Sequence, residues 1–335
     1  MNEAALIGTV ILLLIVGTGL ALVALSAWMK RKVEGAVPAQ GRFIDVDGHS
    51  IHYVDSDPES VERPALILIH GLGAQLQHMT HSLSGHLEDE FRVIAIDRPG
   101  AGYSRRAKGG DGSLTGYARV VAGFIDVLGL DRPVLVGHSL GGAVALATAL
   151  DHPSVTRGIV LVAPATQSSD EAPDIFRALV LRRDWQRHLV GWTAATPMGL
   201  RYGAQTARIA FHPDDVPDDF ALRGGGVLGL RPGNFRSASM DLTSVPDVLP
   251  GLMERYGEIE VPVAIIHGTA DTVVPFEANA VRQGKRLGAH VKALEGRGHM
   301  IPITAAPDVA DFVREHARQW FASTAEPPSR ETEDA

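Results

Sequence analysis

Cysteine is absent from the 335 residues. Disulfides, thiolate nucleophiles and Cys-ligated zinc are excluded with it, although the absence does not name a compartment. An excess of positive charge is also lacking. The net charge is -8 and the pI about 5.9, so the basic footprint of a nucleic-acid-binding surface is missing. No internal repeat is present. Charge of either sign is missing from one stretch, Ala4 to Met29, which Leu, Ile, Val and Ala dominate.

That stretch, as a helix, rises about 39 Å at about 1.5 Å per residue, enough to cross a hydrocarbon core of about 30 Å. Trp28 stands at its end, where an interfacial aromatic belongs, and Lys30-Arg31-Lys32 follow. A cleaved signal peptide is the rival reading. Against it, Met1-Asn2-Glu3 has no Lys or Arg, and the apolar run exceeds the usual ~7–15 residues of a signal-peptide core. The expectation is an uncleaved single-pass anchor over 4–29. The basic cluster on its C-terminal side then places the rest of the chain on the cytoplasmic face. Residues 30–40 read as a linker, with Gly35 and Pro38.

With 45% hydrophobic and 21% charged residues, the remainder can build one large α/β domain plus an insertion. Arg42–Val46 and Ser50–Val54 flank Asp47-Gly48, a hairpin signal. Ala65–Ile69, Phe91–Ile96, Val134–Val136, Gly158–Ala163, Val261–Ile266 and His290–Leu294 read as strands, several of them continuous apolar runs. Leu114–Leu128, Ala143–Ala149, Glu277–Leu287 and Pro307–Phe321 read as helices. The alternation predicts a mostly parallel, doubly wound sheet. Between Pro164 and Glu260 the alternation breaks, which predicts a helical lid over 165–260, with helices at Arg177–Leu189 and Thr196–Ala210 and a flexible Gly224-Gly225-Gly226. The core is then divided into 41–164 and 261–321, with a polar, disordered tail at 322–335.

The chemistry centres on Gly137-His138-Ser139-Leu140-Gly141, a G-x-S-x-G between a strand and a small-residue helix. Such a turn is strained. It lifts the serine hydroxyl above the sheet at a helix N-terminus, with small neighbours required on either side. A serine hydroxyl is a poor nucleophile without a base, and the base needs an orienting carboxylate. Asp271, in His267-Gly268-Thr269-Ala270-Asp271, and His299, after Gly298, each follow a predicted strand. Loops after parallel strands share one edge of a sheet, so Ser139, Asp271 and His299 can converge, in the chain order this architecture uses. His70-Gly71-Leu72-Gly73 also leaves a strand. Its Leu72 N–H, with the Leu140 N–H, is the candidate oxyanion hole.

Other polar groups read more plainly. His70, His78, His81 and His86 lie close together, but no Asp/Glu–His pattern of a metal site accompanies them, so no metal is expected. Asp97-Arg98-Pro99-Gly100-Ala101-Gly102-Tyr103-Ser104 reads as a structural turn. Trp185, Trp192, Met198, Phe211 and Met240 could line an acyl pocket or form the lid's own core. Arg231 and Arg236 could hold a substrate carboxylate or stand on solvated surface.

Taken together, His70-Gly71-Leu72-Gly73, the Asp97–Ser104 turn, Gly137–Gly142, His267–Asp271 and Gly298-His299 resemble the α/β-hydrolase superfamily from about Gly41 to Phe321. The resemblance implies Ser139 as nucleophile, Asp271 as acid, His299 as base, and an oxyanion hole at the Leu72 and Leu140 amides. Serine at the elbow departs from epoxide hydrolases and haloalkane dehalogenases, which use Asp there. Anchor plus lid resembles membrane-bound monoacylglycerol-lipase-like members. The expected activity is hydrolysis of carboxylic, lipid-like acyl esters, with no cofactor. The rival readings are C–C bond hydrolysis, perhydrolysis, and a non-catalytic ligand-binding protein.

Overall fold

The computed structural model describes residues 3–60, 62–167 and 174–323. Its centre is one eight-stranded sheet. The strands are β1 (Arg42–Val46), β2 (His49–Asp55), β3 (Ala65–Ile69), β4 (Arg92–Ile96), β5 (Val134–His138), β6 (Gly158–Val162), β7 (Val263–Gly268) and β8 (His290–Leu294). Their order is β1-β2-β4-β3-β5-β6-β7-β8. The Asp47-Gly48 hairpin pairs β1 with β2 antiparallel, and β2 pairs β4 antiparallel. Every later pairing is parallel. This is the doubly wound sheet expected from the continuous apolar runs. All residues of β3, β4, β5, β6 and β7 are buried, as strands covered on both faces must be. Each fully buried Leu or Ile there stabilises the fold by about 1.5–3 kcal/mol.

The helices are α1 (Glu3–Ala36), α2 (Gln77–Thr80), α3 (Leu114–Val127), α4 (Leu140–Asp151), α5 (Asp184–Val190), α6 (Thr196–Phe211), α7 (Pro232–Glu254), α8 (Gln283–Leu287), α9 (Ile301–Thr304) and α10 (Ala306–Ala322). On one face of the sheet, α3 and α4 close a core that includes Ile67, Leu135, Phe124 and Leu146. On the other, α10 and the segment before β4 close a second core around Leu68, Val136, Leu83 and Phe312. Helix α4 is buried from Leu140 to Leu150. Its run of Gly and Ala lets α3 and the sheet approach it from opposite sides.

The described residues between β6 and β7 form a cap over the C-terminal edge of the sheet. The expected helix over Arg177–Leu189 is broken. A short tight helix ends at Leu179, Arg183 is extended, and α5 begins at Asp184. Arg187 stabilises the break, its Nε donating back to the Leu181 carbonyl at 2.8 Å. The expected helix over Glu277–Leu287 is likewise two pieces, a wide turn over Glu277–Arg282 followed by α8. The Gly224–Gly226 run is pinned, because the Gln75 amide donates to the carbonyls of Gly224 and Gly225 at 3.1 and 2.7 Å. Helix α7 was not expected, since Pro246 and Pro250 interrupt its pattern.

The expected linker over 30–40 is mostly helix. α1 continues to Ala36 because Met29, Val33 and Val37 have an apolar partner, Leu228 of the cap. Glu34 pairs with Arg231 at 3.3 Å, and the Tyr103 hydroxyl donates to the Val37 carbonyl. Over its first turns α1 is exposed, and its length and composition suffice to cross a membrane. Ala322 ends α10; from residue 324 the expected tail lies outside the described residues.

Candidate active site

The C-terminal ends of β3, β5, β7 and β8 bring the expected residues to one edge. Ser139 sits between β5 and α4 with φ 53° and ψ -121°, a left-handed conformation that a non-glycine residue adopts only when its surroundings enforce it. The enforcement is steric. A Cβ on Gly141 would run into the Ile69 carbonyl, and one on Gly71 would stand 2.9 Å from the Ser139 Cβ. β3 and β5 can therefore bring their exit loops together only with glycine at both positions.

Asp271 and His299 are hydrogen-bonded, His299 Nδ1 lying 2.7 Å from Asp271 Oδ2. The other carboxylate oxygen accepts the backbone N–H groups of Val273 and Val274, both at 2.8 Å. His267 Nε2 lies 3.0 Å from Oδ2 and 2.9 Å from the Val274 carbonyl, so this nitrogen carries the proton and donates. Burial opposes ionisation of Asp271, but the charge of His299 and the hydrogen bonds from His267 and His299 outweigh it. The carboxyl is held well below the usual carboxylate range.

Ser139 and His299 line one cavity, with Leu72 in its wall. The Ser139 hydroxyl has no hydrogen-bond partner among the described residues, and none joins it to His299. The N–H groups of Leu72 and Leu140 likewise have no acceptor there. His138 carries its Nε2 to the His299 carbonyl at 3.1 Å. Burial, then the charge of His299, lowers its pKa well below the ordinary value, so it stays neutral.

The cavity measures about 520 Å³. Besides Ser139 and His299 its wall includes Ile175, Phe176, Leu179, Met198, Phe211 and Phe235, and among the described residues no Asp, Glu, Lys or Arg contributes to it. Of the five residues considered for an acyl pocket, Met198 and Phe211 line it. Trp185 is exposed, and Trp192 lines a different cavity. Met240 is absent from this wall and stands close to Gly112 instead. Arg231 is buried against Glu34, Asn234 and the Gly102 carbonyl, and Arg236 pairs with Asp184; neither faces Ser139. Of the four early histidines, His70 is bonded to Gly71 and Arg98, and His81 faces Asp219. His78 lines the cavity, its pKa lowered to about 4 by burial and by neighbouring His81.

Three residues around the site were missed. His267 stands four before Asp271, in the motif already noted. Arg98 lies in the turn after β4, where the density of Gly and Pro was the available signal. It is buried, and its guanidinium donates to the carbonyls of His70 and Gly71 at 3.2 and 2.8 Å. Asp241, on α7, pairs with Arg98 and accepts from Tyr117. No sequence signal marked it, because no element was assigned to that stretch.

The comparisons agree with this geometry. A family model described as alpha/beta hydrolase fold matches residues 64–306. The dihydrolipoyllysine-residue acetyltransferase component of the acetoin cleaving system of Cupriavidus necator is 35% identical over 278 residues, 82% of this chain and 68% of that protein. A bifunctional esterase/perhydrolase of Acinetobacter calcoaceticus is 28% identical over 289 residues, 80% of this chain and 97% of its own length. Among solved structures, that of a membrane phospholipase A superposes with a TM-score of 0.67 at 22% identity, covering 96% of this chain and 100% of that one. With its parallel sheet, strained serine turn and matched family model, this chain belongs to the alpha/beta hydrolase fold family.

Proposed function

We propose that this chain is a membrane-anchored serine hydrolase that cleaves carboxylic esters of an acyl chain. The observation that carries the reading is the largely apolar cavity, without a charged side chain among the described residues, that has Ser139 and His299 in its wall. An acyl chain fits such a wall, and its carbonyl would lie at the polar end.

In the first step His299 takes the Ser139 proton as the hydroxyl attacks the ester carbonyl. Asp271 holds the imidazole in the tautomer that leaves Nε2 free and stabilises the imidazolium. The Leu72 and Leu140 amides receive the oxyanion, each worth about 3–4 kcal/mol of barrier. His299 then protonates the departing alkoxide. Water, deprotonated by His299, releases the acid and restores Ser139. Every proton transfer runs through a side chain of this protein, so the proposal needs no cofactor.

The esterase half of the Acinetobacter calcoaceticus relative's name supports this reading. C–C bond hydrolysis of a dienoic ring-cleavage product fits less well. Its substrate carboxylate needs a cation, and Arg231 and Arg236 stand elsewhere. Dehalogenation would need Asp in place of Ser139. We further propose that residues 4–29 anchor the protein, with Lys30 to Lys32 at the cytoplasmic surface. Lipid esters in that membrane are then the nearest substrates.

The test is turnover of p-nitrophenyl esters of increasing chain length by the full-length protein in nanodiscs. The full chain is used because α1 packs on the cap. Turnover that prefers longer chains and is abolished by Ser139→Ala is the expected result. Equal turnover by Ser139→Ala, or cleavage of a dienoic substrate with no ester turned over, would overturn the proposal.

A further inference from the structure

Helix α1 is not free along its whole apolar length. From Ala4 to Thr18 every residue is exposed. Beyond that, Gly19, Leu22, Ser26, Met29 and Val33 form a covered stripe at three- and four-residue spacing, one face of a helix. The covering elements are the wide turn Gly191–Ala195, α6 and the turn Gly226–Leu230, all of them cap. The free part rises only about 22 Å at 1.5 Å per residue. A hydrocarbon core of about 30 Å is thicker than that. The missing length must come from the part of α1 that already has the cap against it.

The cap surface next to α1 suits that position. Helix α6 is exposed from Leu200 to Thr206; Leu200 and Ile209 present large apolar groups to the outside, and exposed Met198 and Tyr202 border the cavity. The only charged residues of α6 are Arg201 and Arg208, with no acidic side chain in sixteen residues. Apolar and aromatic groups mixed with arginine alone are the composition of a helix that lies in an anionic lipid surface. The neighbouring α5 adds exposed Trp185 and Leu189. The inner face of α6, through Met198, Tyr202, Thr206 and Ala210, lines the Ser139 cavity.

We propose that the cap is immersed in the membrane surface beside α1, with α6 lying in the interfacial layer of the bilayer. The wall of the Ser139 cavity formed by α6 then borders lipid rather than water, and an acyl chain reaches it sideways from the leaflet. The inference rests on the anchor proposed above.

The absence of cysteine makes the test direct. Single cysteines replace Leu12 in the free part of α1, Leu200 on α6 and Asp131 at the opposite edge of the sheet. Each full-length variant is labelled with a polarity-sensitive fluorophore and reconstituted in vesicles of phosphatidylglycerol and phosphatidylcholine, with and without nitroxide-bearing lipid. The expected result is a blue shift and lipid-dependent loss of emission at Leu12→Cys and Leu200→Cys, and neither at Asp131→Cys. Quenching at Leu12→Cys with a water-like Leu200→Cys overturns the immersion and leaves the anchor standing. A water-like signal at both overturns the anchor and, with it, this inference.

Discussion

Arg98 and Asp241 form a buried ion pair of 2.8 Å that joins the cap to the loop carrying the Leu72 amide. Both side chains are 1% exposed. Arg98 holds the carbonyls of His70 and Gly71, and Asp241 also receives Tyr117 and, at 3.4 Å, Arg106. Removing one partner leaves a buried charge without compensation. Asp241→Ala is expected to cost about 3–5 kcal/mol, read as a lower urea midpoint. The double replacement Arg98→Met with Asp241→Leu is expected to cost less than Asp241→Ala alone, because the buried Arg98 charge goes with its partner and only Arg106, which keeps Tyr117 and the Asp111 carbonyl, loses a carboxylate.

The carboxylate of Asp271 orients His299. Asp271→Asn keeps the shape but permits the wrong imidazole tautomer. The expected loss is about 10⁴-fold in kcat with KM little changed, measured on the best p-nitrophenyl ester.

Gly71 leaves no room for a side chain beside Ser139. Gly71→Ala places a methyl 2.9 Å from the Ser139 Cβ, so either the loop or Ser139 must shift. A displacement of reacting atoms by about 1 Å costs on the order of 10²-fold. The expected outcome is that loss in kcat/KM with a circular dichroism spectrum like that of the wild type.

Acid is expected to weaken the fold through buried His70 and His138 and half-buried His78. Burial, chiefly, lowers the pKa of His70, His78 and His138 below the ordinary 6.5. Between that value and their folded-state values the unfolded chain binds protons that the folded chain does not. Stability therefore begins to fall as pH drops below about 6.5 and keeps falling to about 4, the folded value of His78. Each group adds a slope of up to about 1.4 kcal/mol per pH unit. Urea midpoints at pH 7, 6 and 5 measure the slope, and His78→Gln is expected to reduce it.

On the proposed ester-hydrolase reading, the cavity wall sets chain length. Ala207 lines the cavity on α6, and a larger side chain there takes space from the acyl chain. Ala207→Trp is expected to move the ester optimum to shorter chains while leaving acetate turnover near that of the wild type, read from the same chain-length series.

The sheet was legible because its strands are buried on both faces. Continuous runs such as Ala65–Ile69 announce themselves without a partner in view, and the order of exit loops then brings Ser139, Asp271 and His299 to one edge. The strained serine turn was legible from Gly137 and Gly141, since only small residues allow it. The cap was less so. Its helices are held by contacts distant in sequence, as Arg187 shows by donating to the hydroxyls of Ser239 and Thr243 on α7. The reach of α1 past Lys30 was hidden for the same reason, since Val33 and Val37 look like linker until Leu228 is placed beside them. Asp241 and Arg98, 143 residues apart, carry no local pattern linking them.

Ser139 is proposed to be a nucleophile activated in the folded chain. A fluorophosphonate probe added to the full-length protein, followed by intact-mass and peptide mass spectrometry, measures this without any assumption about substrate. The expected result is one adduct, on the peptide containing Ser139, absent in Ser139→Ala and much slower to form in His299→Ala. An adduct on another residue, or one formed equally fast in His299→Ala, would contradict the claim.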